Sequence, residues 1–182
     1  FLKTYISENT PYNGILLFHG TGVGKTCSSI SIAENFKELI LKTNKKINIL
    51  LNPSIKASFI KNIFNLEKLK ELKNVIKKGV YEDIENVKLE DLYADISGCT
   101  KTTYLDEANV NIEKLVEDPK RYIDTLTKKI TKLIKNRYQF YGYGEFSNKI
   151  EKIKREISER FNDQEQIDRV FRNSIDSMFS NS

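Results

Sequence analysis

Residues 14–18 read Gly-Ile-Leu-Leu-Phe, and residues 19–26 read His-Gly-Thr-Gly-Val-Gly-Lys-Thr. An unbroken apolar run, then a turn rich in glycine, then a helical pattern leaves little freedom in the choice of fold. The apolar run suits a strand buried on both faces of a parallel sheet. The glycines let the backbone turn tightly and bring its N–H groups together. From Gly24 to about Leu41, the residues Ile30, Ala33, Phe36, Ile40 and Leu41 recur on a helical period. Residues 47–51 (Ile-Asn-Ile-Leu-Leu) read as a second strand, and residues 55–64 suit another helix after Pro53 and Ser54. Strand, helix, strand, helix predicts an α/β fold, a parallel sheet flanked by helices.

The glycine-rich turn also specifies chemistry. Between a strand and a helix it has the context of a phosphate-binding P-loop. Gly20, Thr21, Gly22, Val23, Gly24, Lys25, Thr26 and Cys27 are the candidate ligands of a nucleoside triphosphate, with ATP the expected cofactor. The helix N-terminus adds its positive end to the amides. Lys25 would reach the β and γ phosphates and stabilise charge during transfer, and the Thr26 hydroxyl would ligate Mg²⁺. These two are the candidate catalytic residues. The strict pattern has Gly where this chain has His19, which reads as a structural residue under the loop. Cys27 reads as a packing residue on the loop helix, and Cys99 has no partner motif.

Hydrolysis needs a further carboxylate after an apolar strand. Asp106-Glu107 has the right chemistry, but Lys101-Thr102-Thr103-Tyr104 before it is too polar for a buried central strand. Asp176, preceded only by Ile175, is a weaker candidate still.

Composition narrows the remaining classes. The 182 residues, 39% hydrophobic and 30% charged, amount to one globular domain. No apolar run approaches the roughly 18 residues of a membrane span. The start lacks the apolar core and cleavage site of a signal peptide. Two cysteines exclude a disulfide framework and a Cys-rich zinc site, and one histidine excludes His-based metal or triad chemistry. A reducing, intracellular location is expected.

The net charge of +5 conceals segregation. Residues 54–78 carry seven Lys against two Glu, residues 79–119 eleven acids against three Lys, and residues 120–137 seven bases against one Asp. Such blocks are either solvated helix faces or surfaces that track phosphate. Residues 66–78 look helical. Asp118-Pro119 marks a helix start, Asp as N-cap and Pro at the first position, with Ile123, Leu126, Ile130, Leu133 and Ile134 on its apolar face. Residues 138–141 (Tyr-Gln-Phe-Tyr) read as a short strand. An amphipathic helix follows through Phe146, Ile150, Ile153, Ile157 and Phe161, then a short one with Ile167, Val170 and Phe171. Residues 174–182 show no pattern.

Residues 11–28 (Pro-Tyr-Asn-Gly-Ile-Leu-Leu-Phe-His-Gly-Thr-Gly-Val-Gly-Lys-Thr-Cys-Ser) resemble motif I of superfamily 2 helicases. The resemblance is strongest to those of large nucleocytoplasmic DNA viruses, the group of poxvirus early-transcription ATPases and the helicase-like proteins of asfarviruses and mimiviruses. In that superfamily the first P-loop position is often not Gly. Residues 47–54 resemble motif Ia, whose strand-to-helix junction touches the nucleic-acid backbone, and this nominates Ser54 and Lys56. Residues 138–146 resemble the strand-plus-Tyr segment before motif II, and residues 97–100 (Ser-Gly-Cys-Thr) are similar to a Cys-Thr-Gly-like stretch in the family's insertion.

The resemblance implies part of a first RecA-like motor domain, with core residues 1–65 and 137–182 and a largely helical insertion over about 66–136. It implies ATP and Mg²⁺ as cofactors, DNA or RNA as partner, viral transcription proteins as further partners, and a place in the host cytoplasm or the virion. Motif II, with its Asp-Glu-x-His, would follow residue 182, so the chain is expected to be a piece of a longer motor that binds nucleotide weakly and hydrolyses little by itself. Two other classes fit the P-loop. One is a self-contained nucleotide kinase or phosphotransferase, although the six arginines all lie at or beyond Arg121 without a lid pattern. The other is a nucleotide-binding module without turnover.

Overall fold

A computed structural model describes residues 2–7, 9–12, 14–18, 20, 22–75, 96 and 98–180. In chain order the described elements are α1 (Leu2–Tyr5), α2 (Lys25–Asn35), α3 (Lys37–Thr43), β1 (Ile47–Leu51), α4 (Pro53–Ile63), α5 (Leu66–Val75) and a 3₁₀ turn (Gly98–Thr100). After them come α6 (Thr103–Ala108), α7 (Ile112–Glu117), α8 (Pro119–Arg137), β2 (Tyr138–Gly142), α9 (Tyr143–Ser158) and α10 (Gln164–Ser180). The fold is mostly helical with a small parallel sheet, consistent with an α/β class. The acidic segment 76–95 lies outside the described residues, as do His19 and Thr21.

Short polar side chains set the helix starts. Asn52 Oδ1 accepts from Ser54 N at 3.0 Å, Asn65 Oδ1 from Lys68 N at 3.1 Å and Asn111 Oδ1 from Lys114 N at 2.8 Å. Asp118 Oδ1 accepts from Arg121 N at 3.2 Å, and Asp163 Oδ2 from Gln166 N at 3.0 Å. Each satisfies an amide that has no acceptor within its own helix. Pro53 and Pro119 occupy first helical positions, where the missing N–H costs nothing.

The chain divides into two compact units, residues 1–36 with 57–135, and residues 37–56 with 136–182. In the first, Ile30, Ile63, Phe64, Tyr104, Ile123 and Ile130 are fully buried. The Phe64 and Tyr104 rings meet edge to face at 6.2 Å, the arrangement their quadrupoles favour. In the second, β1 and β2 pair in parallel, Ile47 opposite Tyr138 through Leu51 opposite Gly142. Leu51, Tyr138, Tyr141, Ile157 and Ile167 form the core of this unit.

Three expectations are corrected. Residues 14–18 are not a strand: Leu16 is 87% and Phe18 95% exposed. A central parallel strand needs hydrogen-bonding neighbours, and among the described residues β1 and β2 pair only with each other. The helix expected over 24–41 is two helices, because Phe36 leaves helical geometry at φ −89°, ψ 9° and turns its N–H to the Ala33 and Glu34 carbonyls. The patternless tail from Ser174 is helical to Ser180.

Candidate nucleotide and nucleic-acid site

The glycine-rich loop of the first unit carries the nucleotide candidates. Gly22 and Gly24 have φ of 82° and 77°, a region where a side chain collides with its own backbone and glycine does not. Gly24 is the N-cap of α2, and Ser28 N donates to Gly24 O at 2.9 Å as the helix's first bond. The amides of Thr26 and Cys27 precede that bond, at the positive end of the helix. Lys25 Nζ folds back to donate to Gly20 O at 3.1 Å, which holds the ammonium over the loop. Gly22, Val23, Gly24, Lys25 and Cys27 are exposed and Thr26 is half-buried. This donor set fits a polyphosphate, with one ammonium, a run of loop and helix-start amides, and no carboxylate among residues 19–26. Thr26 adds a half-buried hydroxyl of the kind a hard cation takes.

Two bonds fix α2 behind the loop. Near its start, Cys27 is disulfide-bonded to Cys99, with Cα atoms 5.1 Å apart. This corrects the reading of two unpartnered thiols: composition cannot pair residues 72 positions apart, and only the fold brings them together. Near its end, the buried Tyr104 hydroxyl donates to Glu34 Oε1 at 2.8 Å. The 3₁₀ turn that carries Cys99 is itself held: Thr100 Oγ1 donates to Ile63 O at 2.8 Å. A Cβ on Gly98 would lie 2.4 Å from Asn62 O, so only glycine fits there. The loop helix is therefore braced at both ends by residues 98–104. Tyr104 and the Cys pair are the functional supports that pattern reading missed, since neither carries a sequence signal.

Asp106 and Glu107 lie within α6, not at the end of a strand. Among the described residues no cluster of three or more His, Cys, Asp or Glu could hold a metal.

The second unit carries the other candidates. Asn52 Oδ1 accepts from both Ser54 N and Ser54 Oγ at 3.0 Å, presenting Ser54 at the exposed start of α4. Lys56 Nζ sits over the Phe140 ring at 5.7 Å, a cation–π distance. A Cβ on Gly142 would lie 3.2 Å from Pro53 Cγ, so glycine lets the end of β2 approach the start of α4. Ser54 and Lys56 thus share one edge of this unit with the ends of both strands.

Over 63 residues, 34% of its length, this chain is 48% identical to an Acanthamoeba polyphaga mimivirus protein named "putative ATP-dependent RNA helicase". Over 157 residues, 82% of the chain, it is 30% identical to the early transcription factor large subunit homolog of African swine fever virus. Over 152 residues, 84% of the chain, it is 29% identical to a protein of Invertebrate iridescent virus 3 named "putative helicase". The chain spans 6% of the length of the first relative and 12% of each of the other two. No protein-family model and no solved structure matches. The relatives support a helicase-like family of large DNA viruses. Among the described residues no helix is long and apolar enough to cross a membrane.

Proposed function

We propose that this chain is the nucleotide-binding part of a superfamily 2 helicase or translocase of a large DNA virus, one that couples ATP hydrolysis to movement on DNA or RNA during transcription or replication. The observation that carries this reading is the loop: two glycines in left-handed geometry open α2, with Lys25 bonded to Gly20 O. Residues 20–26, with the Cys27 amide, hold the phosphates. Lys25 bears on the β and γ positions, and Thr26 offers its hydroxyl to Mg²⁺. ATP supplies the phosphoryl group whose transfer drives movement. Ser54 and Lys56 contact the nucleic-acid backbone, which orients the track without reading bases.

The attacking water and the transition-state charge are handled by carboxylates and an arginine from the rest of a longer motor. The chain alone therefore binds nucleotide with little turnover. The RecA-like core comprises residues 1–65 and 137–182, with residues 66–136 inserted in it. Work in the host cytoplasm or the virion, beside viral transcription proteins, belongs to the same reading.

The test is ATPase activity with and without single-stranded DNA or RNA, for the chain and for a longer protein containing it. Stimulation of the longer protein by nucleic acid supports the motor. Phosphate transfer to a small acceptor, without nucleic-acid dependence, would replace it with a phosphotransferase.

A further inference from the structure

Helix α8 buries one stripe and charges the opposite one. Ile123, Leu126, Ile130 and Ile134 are buried. Half a helical turn away lie Arg121, Lys128, Lys132 and Lys135, all exposed. Asp124 is the lone acid among residues 120–137. It is already bonded to Lys73 of α5. That bond, with the charges of Lys73, Lys128 and Lys70 around it, holds the Asp124 carboxyl below its ordinary range. Helix α5 brings Lys70 and Lys73 to the Asp124 side of α8, but it also carries Glu67, paired with Lys61, and Glu71, so the single-signed surface is the α8 stripe itself.

We propose that this α8 stripe is a track for the phosphate backbone of nucleic acid, in addition to the Ser54 and Lys56 candidates. The inference rests on the reading of the chain as part of a nucleic-acid motor. From Arg121 to Lys135 the stripe runs about 21 Å at the helical rise. That is the axial span of about six nucleotides of one strand of a duplex, at 3.4 Å each. A linear polyanion with regular charge spacing matches a straight, single-signed row. Helix α9 has bases too, but Glu145, Glu151 and Glu156 interrupt them, and Lys152 pairs with Glu156 at 3.9 Å.

The test measures binding of a fluorescent single-stranded oligonucleotide by anisotropy across a salt series. Lys128→Gln/Lys132→Gln/Lys135→Gln is compared with the parent and with Lys152→Gln/Lys154→Gln/Arg155→Gln, which removes the same charge from α9. The α8 variant is expected to lose about tenfold to a hundredfold in affinity at 0.1 M salt, and its log–log salt slope to flatten by about 2, roughly 0.7 for each lost phosphate contact. The α9 variant stays within about twofold, because a mixed-charge face releases few counterions. Replacing the three α8 lysines by arginine preserves binding.

Lysine footprinting of the parent reads the same contacts without substitution, and protection at Lys128, Lys132 and Lys135 is expected. Equal losses from both helices, displacement by poly-glutamate as readily as by oligonucleotide, or absence of protection would overturn the track. An unaffected α8 variant in a parent that binds oligonucleotide sinks this inference alone. A parent that binds Mg-ATP but no oligonucleotide sinks the nucleic-acid motor reading with it.

Discussion

Breaking the Cys27–Cys99 bond should destabilise the first unit and slacken the loop helix. The bond closes a loop of 72 positions. In the chain-entropy account that closure removes about 15 cal/mol/K from the unfolded ensemble, about 4 kcal/mol at 25 °C. The contacts around it, Thr100 to Ile63 and Tyr104 to Glu34, involve neither sulfur, so the loss is expected to fall mainly on the unfolded state. With a urea slope of about 2 kcal/mol/M, the midpoint should fall by about 2 M. The assay is urea unfolding of the parent, of parent with reductant, and of Cys99→Ser, followed by circular dichroism, with thiol titration of each. Reductant should lower the parent to the Cys99→Ser curve and leave Cys99→Ser where it is. Two titratable thiols in parent purified without reductant, or a midpoint indifferent to reductant, would refute the reasoning.

Three other outcomes follow from named contacts. Tyr104→Phe removes the donor to Glu34 and should cost about 1.5–3 kcal/mol, the range for a hydrogen bond to a charged group, read as a lower melting temperature. Gly24→Ala forces a side chain into φ of 77° and should cost about 1–2 kcal/mol of stability, with a parallel loss of nucleotide affinity that Ala at exposed Gly144, which meets open space, does not share. The Asp124 carboxyl, lowered by its bond to Lys73, should titrate below an ordinary Asp in carbon-detected NMR and move upward in Lys73→Met. Because its folded-state value is depressed, the pairing stabilises the fold above the ordinary Asp range and is lost as pH falls through the lowered value.

What the sequence made legible was local. The Asp118-Pro119 start of α8 needed only a cap and a proline, and Asp118 does accept from Arg121 N. Residues 47–51 and 138–142 form strands because β-branched and aromatic side chains suit a pleated surface, although their pairing across 91 positions is a property of the fold. The glycine-rich loop was legible because its glycines answer a backbone demand visible in the φ of Gly22 and Gly24. The illegible parts were those that depend on distant partners. Residues 14–18 have a strand's composition but no hydrogen-bonding neighbour among the described residues. The Cys27–Cys99 bond and the Tyr104–Glu34 contact join residues 72 and 70 positions apart. Phe36 ends a helix without the glycine or proline that would announce it.

The proposed function requires that residues 20–26 hold a nucleoside triphosphate. Calorimetric titration of the chain with Mg-ATP, beside Lys25→Ala and Thr26→Ala, asks this directly. Loss of the Lys25 ammonium removes a charge-assisted bond of about 1.5–3 kcal/mol, so affinity should fall about tenfold to a hundredfold. Thr26→Ala should abolish the advantage of Mg-ATP over ATP in EDTA. Binding that is indifferent to both substitutions, or no binding by the parent, would contradict the assignment of the loop.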